Sequence, residues 1–280
     1  MAEERLKSWE ALFAQALEIL DSAQRAGART AGWSFGGGTA LMRRHRHRIS
    51  KDIDIFIPDP QLLAYLSPRL SAVAASLTSD YVEQGNFLKL FLPQGEIDFV
   101  VAGSLTAAPV VTEWIGGRDI LVETSAEIIA KKVWHRGAAF TARDVFDFAL
   151  VAEREPGAIR LVQHILAARR EVLLHRLRSN AEALREDFAA LDVLEFRPSF
   201  ESCVEAIRYA LEQSTRPPPY RIEQARARYR KTGKTGDRPR FSLLRKFRKE
   251  KRGKPGTDHV FRCYGISEKK NVVCPRFSYG

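Results

Sequence analysis

Asp52 and Asp54 stand two residues apart, about 15 residues behind the glycine run Gly36-Gly37-Gly38. Residues 52–57 alternate Asp, Ile, Asp, Ile, Phe, Ile before Pro58, the period of a strand with one polar and one apolar face. Both carboxylates then point to the same side, where they repel each other unless a cation lies between them. Mg²⁺ suits such a pair, because it binds a few carboxylates together with phosphate oxygens. The glycine run links a strand predicted at 31–35 to a short helix from Thr39 to about Arg44. Glycine lets backbone N–H groups close on a phosphate, and a helix N-terminus adds partial positive charge. Gly37, Gly38 and Thr39 are therefore candidate triphosphate-binding residues, with Thr39 able to add a hydroxyl donor. No Gly-Lys-Ser/Thr follows, so this is not a Walker loop, and the spacing is not that of a Rossmann turn.

Further charged groups lie downstream. Asp98, in Gly95-Glu96-Ile97-Asp98-Phe99-Val100, shares a strand face with Glu96 and Val100. Phosphoryl chemistry with two metals needs acidic ligands on neighbouring strands, which makes Asp98 a candidate metal ligand beside Asp52 and Asp54. The segment Glu127-Ile128-Ile129-Ala130-Lys131-Lys132 reads as helix, and Lys132 could neutralise triphosphate charge. Arg143, Asp144 and Asp147 follow, with the two acids three apart on one helical face. Each feature also has a plainer reading: a polar outer face for Asp52 and Asp54, a solvated Lys132, a structural ion-pair network around Asp144 and Asp147. The basic run 43–48 either attracts phosphate or is a solvated loop.

These groups need a scaffold. Helical periodicity covers residues 3–26, with Gly27 as the stop. A helix is expected over 61–76, strands over 80–84, 87–92 and 96–102, and a further strand over 118–122. From 124 onward the period is helical, over 125–135, 141–153, 157–190 and 199–213. A mixed front half and a helical second half indicate an α+β fold, with a helical C-terminal lobe. Cys203 falls on the apolar side of the last helix and is expected in the core.

Composition bounds the rest. The 280 residues carry a net charge of +11, unevenly spread: residues 221–280 hold 19 Lys and Arg against 5 Asp and Glu, while the other 220 hold 26 against 29. The stretch 217–280 reads as a basic, disordered tail that could meet a polyanion. Three cysteines without a paired framework suit a cytoplasmic setting, and no apolar run is long enough for a membrane span. His259, Cys263 and Cys274 lack zinc spacing.

Taken together, Gly37-Gly38-Thr39-Ala40-Leu41, His47-Arg48-x-Ser50-x-Asp52-x-Asp54, Glu127-Ile128-Ile129-Ala130-x-Lys132 and Arg143-Asp144-x-x-Asp147 resemble the AbiEii/AbiGii nucleotidyltransferase toxin family, within the DNA polymerase β-like superfamily. The resemblance spans roughly residues 25–155. It implies a polymerase-β-like mixed sheet, with a nucleotidyltransferase domain over 1–155 that includes the N-terminal helix, and a helical lobe over 156–216. It implies the use of NTP and Mg²⁺, and a toxin of a toxin–antitoxin or phage-defence pair with a cognate antitoxin. Similar MenT-type toxins act on the tRNA 3′ end, so RNA is the expected acceptor. On this resemblance Asp52 and Asp54 bind metal, Thr39 takes the place of a serine, Lys132 contacts NTP phosphates and Asp144 completes the acidic site. Asp98 and Asp144 compete for the third carboxylate, and Lys131 is a rival of Lys132, although the Glu-x-x-Ala-x-Lys spacing favours Lys132. Transfer to a protein or small molecule is an alternative, as is a non-catalytic RNA- or partner-binding module with this fold.

Overall fold

The computed structural model describes residues 6–214, so the expectation for 217–280 lies outside the described residues. Within them, seven strands form one mixed sheet: β1 (Ser34–Gly36), β2 (Ile53–Ile57), β3 (Tyr81–Gln84), β4 (Phe87–Leu92), β5 (Gly95–Val101), β6 (Val110–Ile115) and β7 (Arg118–Glu123). The order across the sheet is β3-β4-β5-β2-β1-β7-β6. The helices are α1 (Ser8–Arg25), α2 (Gly37–His45), α3 (Leu62–Leu66), α4 (Ala72–Leu77), α5 (Ser125–Arg136), α6 (Ala142–Arg154), α7 (Pro156–Leu161), α8 (Gln163–Ser179), α9 (Ala181–Ala189) and α10 (Phe200–Ser214). The architecture is α+β, as expected from the change in period.

Alternation decides what the sheet faces. Ile53, Ile55 and Ile57 of β2 and Ile97 and Phe99 of β5 are fully buried. They back onto α1, where Trp9 and Phe13 pack on Phe35 with ring centres 5.8 and 4.7 Å apart. The opposite face keeps Asp54, Phe56, Asp98 and Val100, and α5 and α6 bring charged groups to it. The parallel pairing of β2 with β5 sets Asp54 directly beside Asp98 and Phe56 beside Val100. Around α6, the later helices bury Phe146, Leu166, Leu173 and Cys203 in a continuous apolar core. Cys203 is fully buried, and burial pushes its thiol up to about 12.

Four elements differ from the sequence expectation. The strand expected at 31–35 shrinks to Ser34–Gly36, because Gly32 takes a left-handed turn at φ +86°. The helix expected over 61–76 splits at Ser67-Pro68: a residue before proline avoids the α region, and Ser67 is extended at ψ 139°. The helix expected over 157–190 breaks into three, at Val162 and at Asn180. Strand β6 lies outside the strands expected from sequence; Gly116 and Gly117, at φ +60° and +82°, make the two-residue hairpin turn that pairs it with β7.

Candidate active site

A cavity of about 460 Å³ opens between the polar face of the sheet and helices α5 and α6. Gly37 and Gly38, the first two residues of α2, form one wall, so N–H groups without intrahelical partners sit at its edge. Gly37 adopts φ +69°, and any side chain there would overlap the Asp54 carboxylate. A side chain at Gly38 would come within 2.6 Å of the Arg48 guanidinium. Glycine at both positions is what lets the acid and the arginine close on the backbone.

Three carboxylates converge beside this corner. Asp54 makes no hydrogen bond or ion pair among the described residues; burial, and then the neighbouring charge of Asp98, raise its carboxyl to about 6. Asp98 is also pushed up by burial, although Lys89, 2.9 Å from Oδ2, pulls it back. Its buried Oδ1 has no hydrogen-bond partner among the described residues. Asp52 precedes β2 and is held loosely, by the Glu96 N–H at 3.4 Å and the Arg143 guanidinium at 3.3 Å. Among the described residues no three His, Cys, Asp or Glu side chains form a closed ligand set. Mg²⁺ commonly binds through one or two carboxylates plus substrate phosphates. An unpaired Asp54 beside an orphaned Asp98 oxygen fits that incomplete, oxygen-only demand.

Behind the carboxylates lies a buried ionic chain. Lys132 is 8% exposed, which removes the solvated reading. Its ammonium lies 2.6 Å from Asp144 and 3.1 Å from Asp147. Asp147 in turn accepts both Arg48 Nε at 2.7 Å and Arg48 Nη2 at 2.8 Å, and pairs with His47 at 2.8 Å. Burial pushes the Asp147 carboxyl up, but the charges of Arg48 and Lys132 outweigh it and hold the group well below the usual carboxylate range. Asp144 follows the same logic: burial raises it, and Lys132 and Arg136 bring it below its ordinary value. Asp144 also accepts the Thr141 N–H at 3.0 Å and hydroxyl at 2.9 Å, closing a capping box at the start of α6.

Several candidates thus stand together: Gly37, Gly38, Asp52, Asp54, Asp98, Lys132 and Asp144 all line the cavity. Thr39 does not. It is fully buried, and its hydroxyl donates to the Asp52 carbonyl at 2.6 Å. A direct Thr39 hydroxyl contact to phosphate is therefore not available in this geometry; the side chain instead fixes the approach to Asp52. His47 and Arg48 are buried rather than part of a solvated loop or a free phosphate attractor. Lys131, the rival of Lys132, lines the cavity too, as do residues that sequence reasoning passed over: Phe56, Lys89 and Glu123. Strand alternation alone could have flagged Phe56, two residues beyond Asp54 on the same face. Glu123 is buried, and burial drives its carboxyl to about 7, although Lys131 pulls it down.

A family described as nucleotidyl transferase AbiEii toxin, type IV TA system, matches residues 20–230. No curated protein matches the sequence. Among solved structures the chain is similar to MenT4, a nucleotidyltransferase toxin from Mycobacterium tuberculosis, at 17% identity and TM-score 0.46, covering 80% of this chain and 89% of that one. It is also similar to JHP933 from Helicobacter pylori, at 13% identity and TM-score 0.37, covering 76% and 94%.

Proposed function

Since this chain belongs to the nucleotidyl transferase AbiEii toxin family of type IV toxin–antitoxin systems, we propose that its cavity is the site where an NTP, held with Mg²⁺, gives its nucleoside monophosphate to an RNA acceptor, the tRNA 3′ end above all. The observation that carries this reading is Asp54: a partly buried carboxylate with no hydrogen-bond or ion-pair partner among the described residues, set in register beside Asp98 at a glycine corner. Asp52, Asp54 and Asp98 would hold the metal. Bound Mg²⁺ would supply neutralisation of the triphosphate and a lowered pKa for the acceptor hydroxyl.

The chain's own residues divide the remaining work. The N–H groups of Gly37 and Gly38 receive phosphate oxygens. Lys132, held by Asp144 and Asp147, faces the same space and balances charge as pyrophosphate leaves. Asp144 is then a positioning residue for Lys132, and Asp98 takes the third-carboxylate place. Arg136 and Arg143, about half exposed at the cavity, are placed to meet incoming phosphates. The strongly basic stretch 221–280 favours a polyanionic acceptor over a neutral small molecule. On this reading the protein works in the cytoplasm, is countered by a cognate antitoxin, and serves phage defence; no helix among the described residues is long and apolar enough to cross a membrane.

The test is incubation with each α-labelled NTP, Mg²⁺ and total tRNA. Label should enter tRNA and not protein, and Asp54→Ala should abolish both labelling and toxicity on expression. Label on protein alone, or full toxicity from Asp54→Ala, overturns the proposal.

A further inference from the structure

The cavity lining is not uniformly charged. Phe56, Val100 and Ile128 make part of it apolar, and Glu123 and Lys131 lie against the Phe56 ring, with Asn86 as a further polar group. Phe56 lies two residues past Asp54 on β2, roughly 6–7 Å along the strand. A ribose spans about that distance between an α-phosphate and its base. A mostly apolar slot with a few polar groups is the usual form of a small-molecule site.

One of those polar groups is unsatisfied. Glu123 is 1% exposed, and its Oε1 accepts the Lys131 ammonium and the Ser34 hydroxyl, the latter at 3.3 Å. Its Oε2 is buried without a hydrogen-bond partner among the described residues. Such an acceptor is costly to leave unpaired, and the cost is recovered if a ligand donates to it. Only glycine at position 36 leaves room for that oxygen, because a side chain there would overlap Oε2 and the Phe56 ring. Lys131 Nζ sits 3.8 Å from the Phe56 ring centre, so a donor stands next to the acceptor.

We propose that the part of the cavity lined by Phe56, Glu123 and Lys131 receives the nucleobase of the incoming NTP, and that Glu123 reads its edge by accepting a base N–H, with Lys131 as the adjacent donor. The proposal rests on the nucleotidyl-transfer reading of the same site. It makes Glu123 a specificity-determining residue. Replacing it by glutamine reverses the pattern: the amide oxygen turns to Lys131, and an NH₂ donor faces the slot.

Equilibrium binding of the four NTPs to the full chain, with Mg²⁺, tests this, using inorganic tripolyphosphate as the base-free probe. The wild-type protein should separate at least two of the four by about tenfold or more. Glu123→Gln should change the ratio between those two by about tenfold or more, and leave tripolyphosphate affinity unchanged. If wild-type protein binds all four within twofold, the inference is overturned even where the variant does not fold. It is equally overturned if folded Glu123→Gln weakens all four NTPs and tripolyphosphate by one common factor. Failure of folded wild-type protein to bind any NTP or tripolyphosphate is a different result, and overturns the transfer reading itself.

Discussion

At the scale of single residues, the site trades stability for charge. Asp54 has a raised carboxyl in the folded chain, about 6 against an ordinary 3.8. An acid shifted upward destabilises the folded state as pH climbs from its unfolded value through the folded one. In chelator-treated protein, Asp54→Asn should therefore raise stability at pH 7.5 by up to ~3 kcal/mol, less with solvent screening, and by nothing near pH 4. Thermal melts across pH check the sign; a variant that melts lower at pH 7.5 contradicts it. The same variant should lose transferase activity. Asp147 behaves oppositely. Asp147→Asn leaves buried Arg48 with no full counter-charge, at a cost of about 3–5 kcal/mol in urea unfolding. The sequence displayed Asp52, Asp54 and Lys132 as charged motifs because alternation and helical spacing report faces. It could not display that Arg48 reaches Asp147 across 99 positions, since a pairing at that separation is fixed by tertiary packing. Nor could it show that Thr39 turns its hydroxyl inward.

At the scale of elements, two helix starts set the geometry. The first turn of α2 depends on Gly37 at φ +69°, so Gly37→Ala combines backbone strain with overlap on Asp54. Activity should be lost even in whatever fraction folds, and a Gly37→Ala protein with wild-type turnover would refute the role of that corner. The start of α6 depends on Thr141, which caps the helix and anchors Asp144 together. Thr141→Ala should cost about 1 kcal/mol, and should lower turnover more than nucleotide affinity, measured by kinetics beside equilibrium binding. Strong periodicity made β2, β4, β5 and the long helices legible in the sequence. What escaped was punctuation: Pro68 ends a helix that periodicity alone would continue, and the Val-Val-Thr-Glu-Trp-Ile run becomes a strand through the hairpin turn at Gly116-Gly117.

At the scale of the whole chain, ligand and fold are linked. An NTP with Mg²⁺ that binds only the folded form should stabilise it by about 2.7 kcal/mol at a hundred times its Kd. Thermal shift should show this for wild-type protein and not for Asp54→Ala. The charge asymmetry predicts that RNA affinity falls steeply with salt, while NTP affinity falls less.

The loop that leads into Asp52 is stitched from far downstream: the Ile49 N–H donates to the Asp192 carbonyl at 2.8 Å, the Leu194 N–H to His47 at 2.8 Å and the Glu195 N–H to Arg46 at 3.1 Å. A nascent polypeptide leaving the ribosome therefore carries its aspartates long before it carries the segment that seats them. Competence arrives only once residues 192–195 have been made, so prematurely terminated products that stop short of residue 192 should be harmless to the cell that makes them.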